Sequence, residues 1–195
     1  MVISAPSGAG KTTLCRELRR RFPDISESIS YTTRSPRPGE TNGKDYFFVS
    51  PEQFHAMADN NEFAEWAEVH GNYYGTAMKT LKDARNNGVD LLLDIDCQGA
   101  LKLKERLDGG VYVFILPPSI KELRHRLEKR SSDKQDVIDL RIKRASDEIR
   151  ESYWYDYIVI NDHLEKAFDE LAAIVLAQRC RTFRILPRMA KLFDL

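Results

Sequence analysis

The chain has 195 residues, 42% hydrophobic and 31% charged, enough for one sizeable core with appended subdomains. Its 30 basic and 30 acidic side chains cancel to a formal net charge of zero, which argues against a general nucleic-acid or membrane-surface binder. No stretch has the apolar length of a transmembrane helix, and Cys15, Cys97 and Cys180 are too widely spaced for a metal or disulfide framework, so ordinary thiols in a reducing cytosol are expected.

Val2-Ile3-Ser4 is a short apolar start with strand character, and Leu14, Leu18 and Phe22 recur beyond it at i, i+4, i+8, which predicts a helix with one buried face. Between them lies Ala5-Pro6-Ser7-Gly8-Ala9-Gly10-Lys11-Thr12-Thr13. Strand, glycine loop, Lys-Thr and helix together are the context of a phosphate-binding P-loop. Gly8 and Gly10 let backbone N–H groups turn inward around an anion, and the helix N-terminus adds its positive end. Lys11 supplies a full charge for β- and γ-phosphates, and the Thr12 hydroxyl is a candidate Mg²⁺ ligand. The pattern departs at one place: Ala5 stands where G-x-x-x-x-G-K-[ST] has its first glycine, and alanine is strained there if its φ is positive. The bland alternative is a chance glycine-rich turn before a helix. A loop this close to Met1 leaves no signal peptide, and a short native leader is expected to be missing ahead of it.

Ser28 to Thr33 is rich in β-formers. Arg34 to Lys44 follows with two prolines, two glycines and an Asn-Gly pair, a loop with turns. It carries Arg34 and Arg37 on a stiffened backbone, and the planar guanidinium fork matches phosphate oxygens; otherwise it is a solvated basic loop. Asp45 to Val49 reads as a strand. Ser50-Pro51-Glu52 reads as N-cap, first helical position and acidic first turn of a helix reaching about Asn60. Phe63 to Val69 alternates imperfectly around Glu65, Gly71-Asn72 turns, and Thr76 is a candidate N-cap for a helix from Ala77 to Asn87-Gly88. Residues 31–76 therefore read as a small β-rich insertion.

Leu91 to Asp96 is an apolar run ending in acids, the pattern of a buried parallel strand with its carboxylates at the ligand-binding end. Asp94 has the Walker-B character of a residue near Mg²⁺; a lone strand-end Asp is otherwise a cap or a surface charge. A helix over Gln98 to Leu107, a strand over Val111 to Leu116 and a helix capped near Ser119 come next, with Arg126 and Arg130 at i, i+4. After a loop at Ser131-Ser132-Asp133, a helix places Ile138, Ile142, Ala145 and Ile149 on one side and Arg141 elsewhere. That pair is either an exposed amphipathic hairpin or a lid bringing arginines to a phosphoryl group. Tyr157 to Ile160 is a last strand ending at Asn161-Asp162, and Leu164, Phe168, Leu171 and Val175 line a last helix. The tail with Arg179, Arg181, Arg184, Arg188 and Lys191, interleaved with Leu186, Met189 and Leu192, is a helix extension or an interaction arm, or, as the favoured reading, a solvated face.

The series P-S-G-A-G-K-T-T, S-Y-T-T-R-S-P-R-P-G-E-T-N-G-K-D-Y-F-F, N-E-F-A-E-W-A-E-V-H-G-N-Y-Y-G-T, L-D-I-D-C-Q-G and V-I-N-D resembles guanylate kinase in its bacterial form, over residues 1–178. Bacterial members also carry alanine at the position of Ala5. The resemblance implies an α/β P-loop three-layer sandwich. A central parallel sheet (core 1–30, 77–118, 152–178) carries a β-rich GMP-binding insertion (31–76) and a helical lid (119–151), with 179–195 as a tail. It implies a cytoplasmic enzyme that moves the γ-phosphoryl of MgATP to GMP or dGMP. The loop Ala5 to Thr13 and Asn161, near adenine, would bind ATP. Arg34, Arg37, Tyr46 and Tyr74 would hold the GMP phosphate, and Ser30 and Thr76 would donate to guanine O6. Glu65 and Asp96 would accept from guanine N1–H and N2–H₂. Lys11, Asp94, Arg126, Arg130 and Arg141 would be catalytic, and Thr12 and Asp94 would hold Mg²⁺, the latter through water. Two other classes compete: a guanylate-kinase-like scaffold domain that binds phosphopeptides, and a kinase for a pyrimidine monophosphate. The intact Lys11, Thr12 and Asp94 argue against the first, and Glu65 with Tyr-Tyr-Gly-Thr against the second.

Overall fold

The computed structural model describes residues 1–69, 71–130 and 135–194; the loop expected at Ser131-Ser132-Asp133 lies outside them. The chain begins with β1 (Val2–Ser4), α1 (Lys11–Arg21), β2 (Ser26–Glu27), β3 (Tyr31–Thr32), β4 (Phe47–Phe48) and α2 (Pro51–Asp59). It continues with β5 (Phe63–Val69), β6 (Asn72–Ala77), α3 (Met78–Asn86), β7 (Leu91–Asp94), α4 (Cys97–Arg106) and β8 (Tyr112–Leu116). Last come α5 (Ile120–Arg130), α6 (Gln135–Arg150), β9 (Tyr157–Ile160), α7 (Leu164–Arg179) and α8 (Thr182–Phe193).

Among the described residues the strands form two sheets. One has the order β2-β7-β1-β8-β9 with every pairing parallel, as the apolar runs predict. Alternate residues of its strands face opposite layers, because a strand repeats every second residue. Ile3, Leu92, Val113 and Ile115 pack with Leu14 and Leu18 of α1 and Leu171 of α7. Val2, Leu93, Tyr112 and Phe114 pack on the other face with Ala100 and Leu103 of α4. These are the three layers expected. Burying each of the larger side chains contributes about 1.5–3 kcal/mol before conformational entropy is counted. A third cluster joins Leu123 and Leu127 of α5 to Ile138, Ile142 and Ala145 of α6, so the expected helical pair is packed through its own small core.

The second sheet has the order β4-β3-β6-β5, all of it from residues 31–77. It is held by aromatic contacts, with Phe54 stacked on Phe63 at 4.5 Å between centroids and Tyr31 on Phe47 at 4.7 Å. Gly75 makes room for that stack, since a Cβ there would come within 2.9 Å of the Phe63 ring. The α2 start is as the sequence indicates: Ser50 and Gln53 form a reciprocal capping box with Pro51 at the first turn.

Three expectations change. Ser28 to Thr33 is not one strand. The Ser28 amide still donates to Leu92 O at 2.8 Å, whereas Ser30 O already accepts from Phe47 N at 2.9 Å, so the chain crosses between sheets there. Thr76 does not cap α3; the N-cap is Ala77, and the Thr76 hydroxyl turns instead to Glu65. The tail is not merely a solvated face of α7. The chain breaks at Cys180 and Arg181 and restarts as α8, which anchors on Asp90: the carboxylate accepts from Arg179 Nε at 2.8 Å and from Arg184 at 2.6 Å. Burial opposes ionisation of Asp90, but the hydrogen bonds from Arg184 and Arg179 outweigh it and hold the carboxyl below its usual range. A depressed carboxyl pKa stabilises the fold above the unfolded-state value of about 4 and loses that contribution as the pH falls through the folded value. Asp90→Ala is therefore expected to cost about 1–2 kcal/mol at pH 7 and progressively less as the pH falls through the folded value, read by thermal melts over a falling pH series.

Candidate active site

The loop from Ala5 to Gly10 leaves β1 at its C-terminal end and turns into α1 through two glycines in the left-handed region, Gly8 at φ 94° and Gly10 at φ 99°. Ala5 is free of the feared strain: among the described residues only Asn61 and Asp194 combine a side chain with positive φ. No side chain caps α1, so its N-terminus is left to an anion in the loop. Lys11 pairs with the Asp94 carboxylate and donates to Ile95 O at 3.0 Å. Burial works against the Lys11 charge, but Asp94 outweighs it and raises the ammonium above its usual pKa. Thr12 is exposed at the first turn of α1.

Asn161 occupies an unforeseen position. Its buried amide donates to Ala9 O at 2.8 Å, its carbonyl accepts from Arg126 at 3.1 Å, and its N–H donates to Leu116 O at 2.7 Å. Here it braces the loop from behind, and a Cβ on Gly10 would collide with its amide. Arg126 also holds Glu122 at 2.9 Å across one turn of α5.

A cavity of about 200 Å³ opens in front of Lys11 and Asp94, lined also by Ser30, Tyr46, Glu65, Tyr74 and Asp96. Five of the residues assigned to GMP by resemblance thus meet in one place with the phosphate-loop lysine. Glu65 is 5% exposed, and its Oε1 accepts from the Thr76 hydroxyl at 2.6 Å. Burial pushes the Glu65 carboxyl up to about 7, against the pull of that hydrogen bond, and nearby Asp96 adds to the rise. Asp96 also caps α4, its Oδ1 accepting from Gln98 N at 2.8 Å and Gly99 N at 3.1 Å.

Thr76, Arg34 and Arg37 do not line this cavity. The Thr76 hydroxyl donates to the Glu65 carboxylate at 2.6 Å, a partner the sequence did not indicate. Arg34 stacks over Tyr46, 5.4 Å from the ring centroid, and gives two hydrogen bonds to Glu40 at 2.8 and 2.9 Å. That bidentate bond raises Arg34 and lowers Glu40 from their usual pKa values. The Arg37 amide donates to the same carboxylate at 2.7 Å. Glu40 is the residue sequence reasoning passed over. Its signal was an acid inside a loop otherwise read only for its arginines.

A second cavity of about 500 Å³ lies between α6, α4 and the β5–β6 turn, and Ser7, Asp96, Arg141, Arg144 and Glu148 are among its walls. Arg141 reaches this cavity from α6. Arg144, three residues on along α6, lines it as well. Burial and Asp96 push Glu148 up to about 7. Arg130 ends α5, and its side chain lies outside the described residues.

Comparison with known proteins agrees with this geometry. The family model for guanylate kinase matches residues 1–178. Guanylate kinases of Geobacter metallireducens and Geobacter sulfurreducens are each 60% identical over 194 residues, spanning 100% of this chain and 96% of theirs. The crystal structure of guanylate kinase from Anaplasma phagocytophilum superposes with a TM-score of 0.78 at 37% identity, over 99% of this chain and 93% of that one. With a phosphate loop, a buried carboxylate facing it across one cavity, and these likenesses over the full length, the chain belongs to the guanylate kinase family.

Proposed function

We propose that the site described above transfers the γ-phosphoryl of ATP to GMP, and to dGMP, with the residues acting as follows. The chain is a guanylate kinase, a nucleoside monophosphate kinase with GMP as acceptor. The observation that carries the residue-level reading is that Lys11 and Glu65 line one cavity. A group that grips phosphate and a group that reads a base edge are then within one nucleotide of each other.

Phosphoryl transfer demands positioning and charge neutralisation more than covalent chemistry. The loop from Ala5 to Thr13 and Lys11 hold the ATP phosphates. Tyr46 and Tyr74 at the cavity wall, with Arg37 and with Arg34 moving off Glu40, hold the GMP phosphate. Glu65 and Asp96 accept from guanine N1–H and N2–H₂, Ser30 donates to O6, and Thr76 fixes Glu65. Residues 31–76 then form the GMP-binding insertion and 119–151 the lid, which brings Arg126, Arg130 and Arg141 toward the transferred group. Thr12 and Asp94 supply oxygen donors suited to Mg²⁺. Among the described residues no group of three or more acidic, His or Cys side chains could hold an ion, so nucleotide oxygens and water would complete its shell. When bound, Mg²⁺ neutralises charge on the β- and γ-phosphates. Free cysteines at 15, 97 and 180 fit a cytoplasmic setting.

A coupled ADP-release assay across GMP, AMP, UMP, CMP and dTMP tests the reading, with turnover expected for GMP and little for the rest. Lys11→Ala is expected to lower kcat about a hundredfold or more with an unchanged circular dichroism spectrum. Near-wild-type turnover would remove Lys11 from the mechanism. Arg34→Ala is expected to raise the Kd for GMP about ten- to a hundredfold and that for ATP less than about threefold, by calorimetry. Equal losses for both nucleotides count against its place at the GMP phosphate.

The base-reading role carries a pH signature. Glu65 accepts from two guanine donors only when ionised. Because burial holds its carboxyl at about 7 in the free protein, kcat/KM for GMP should fall as pH drops below 7, approaching about tenfold per unit, and level off above. Glu65→Gln should lower the GMP-to-AMP ratio of kcat/KM about tenfold or more and remove that part of the pH dependence. A folded Glu65→Gln enzyme with the wild-type ratio and profile would make Glu65 a structural residue.

A further inference from the structure

We infer that Gly99 is a positioning residue for guanine selectivity: the side chain it lacks is the space in which the Glu65 carboxylate lies. The inference rests on the reading of Glu65 as the guanine acceptor. Gly99 sits buried in the first turn of α4, among residues whose backbone is ordinary helix. It is not one of the glycines held at positive φ, so no backbone requirement explains it. Glycine is also a poor helix former, which makes a glycine at such a position a sign of packing or function.

The packing is specific. A Cβ on Gly99 would stand 2.6 Å from Glu65 Oε2, 3.2 Å from the Glu65 carboxyl carbon and 3.7 Å from Asp96 Oδ2. No real Cβ sits that close to an oxygen, so a methyl there would force the carboxylate to move. The carboxylate has little freedom to do so quietly. Its other oxygen is bound to Thr76 at 2.6 Å, and the side chain is enclosed. The Gly99 amide, meanwhile, donates to Asp96 at 3.1 Å. One residue therefore sets the position of both carboxylates at the base-reading wall, Asp96 through its N–H and Glu65 through its missing side chain. The close approach also brings Glu65 against the N-terminal turn of α4, whose positive end favours the ionised form that guanine needs.

The test is a cycle of four proteins: wild type, Gly99→Ala, Glu65→Ala and the double variant. GMP and ATP binding are measured by calorimetry, GMP and AMP turnover by ADP release, and stability by thermal melting. Gly99→Ala is expected to raise the GMP Kd about tenfold or more, lower the GMP-to-AMP ratio, and leave ATP within about twofold. In the Glu65→Ala background the same change should leave GMP binding within about twofold, since the carboxylate it displaces is gone. Melting should reverse sign: Gly99→Ala lowers the melting temperature beside Glu65 and raises it in the Glu65→Ala background, where only the better helix propensity remains. If Gly99→Ala does not fold, the double variant is still expected to, and its failure to recover would overturn the inference. So would a Gly99→Ala enzyme with wild-type GMP binding, or one whose GMP loss is as large without Glu65. Glu65→Ala with unimpaired GMP selectivity would instead defeat the reading of Glu65 itself, an outcome separable from the others.

Discussion

Ile3 lies opposite Asp94 in the parallel pairing of β1 with β7, and the chemistry depends on that register. β1 ends in the phosphate loop and β7 ends in the acids. A parallel pair brings two strand C-terminal ends to the same edge of the sheet, where open α/β sheets take their ligands. With β1 flanked by β7 and β8, the loop emerges from the centre of the sheet. Lys11 there reaches both the Asp94 carboxylate and the Ile95 carbonyl. Both strands are short and packed on both faces, so a slip of one residue would exchange the side chains that meet the two helical layers.

Charges in the resting site are paired with one another. Lys11 is held by Asp94, and Arg34 by Glu40. A cation enclosed without a partner is costly, and the internal carboxylates hold both of these in place. Glu65 differs: its carboxylate accepts from the Thr76 hydroxyl rather than from a cation, and burial raises its pKa to about 7. A carboxylate partnered in this way keeps acceptor capacity toward the cavity it lines.

The sheet, the loop and most helices were legible because each rests on local signals. Apolar runs, the Gly8-Gly10 pair, and Ser50 with Pro51 ahead of α2 all act within a few residues of their effect. The β-rich character of 31–76, which supplies the second sheet, was legible, but not the crossing between sheets at Ser28 to Ser30. The β-formers there continue without a break, and only hydrogen-bond partners far along the chain divide them. Thr76 was misread for the same reason. A threonine before a helix is a good cap by local rules, and its preference for Glu65 is a contact across the β5–β6 pair. Family resemblance supplied Glu65, Tyr46 and Tyr74 as a set, which no spacing in the sequence brings together.

Asn161 shows how a residue can serve the site from behind it. The last strand ends where its amide reaches Ala9 and its carbonyl meets Arg126. A buried amide that lost its partner would be unsatisfied, so the loop backbone and β9 are fixed to each other. Arg126 belongs to α5, which shares a small core with α6 and its arginines. Any swing of that helical pair toward the site is thereby felt at one carbonyl of the strand that steadies the phosphate loop. Gly10 completes the arrangement, since its left-handed turn admits no side chain and leaves the Asn161 amide the space to enter. The glycine of the loop thus has two reasons to be there, one facing the phosphate and one facing the brace.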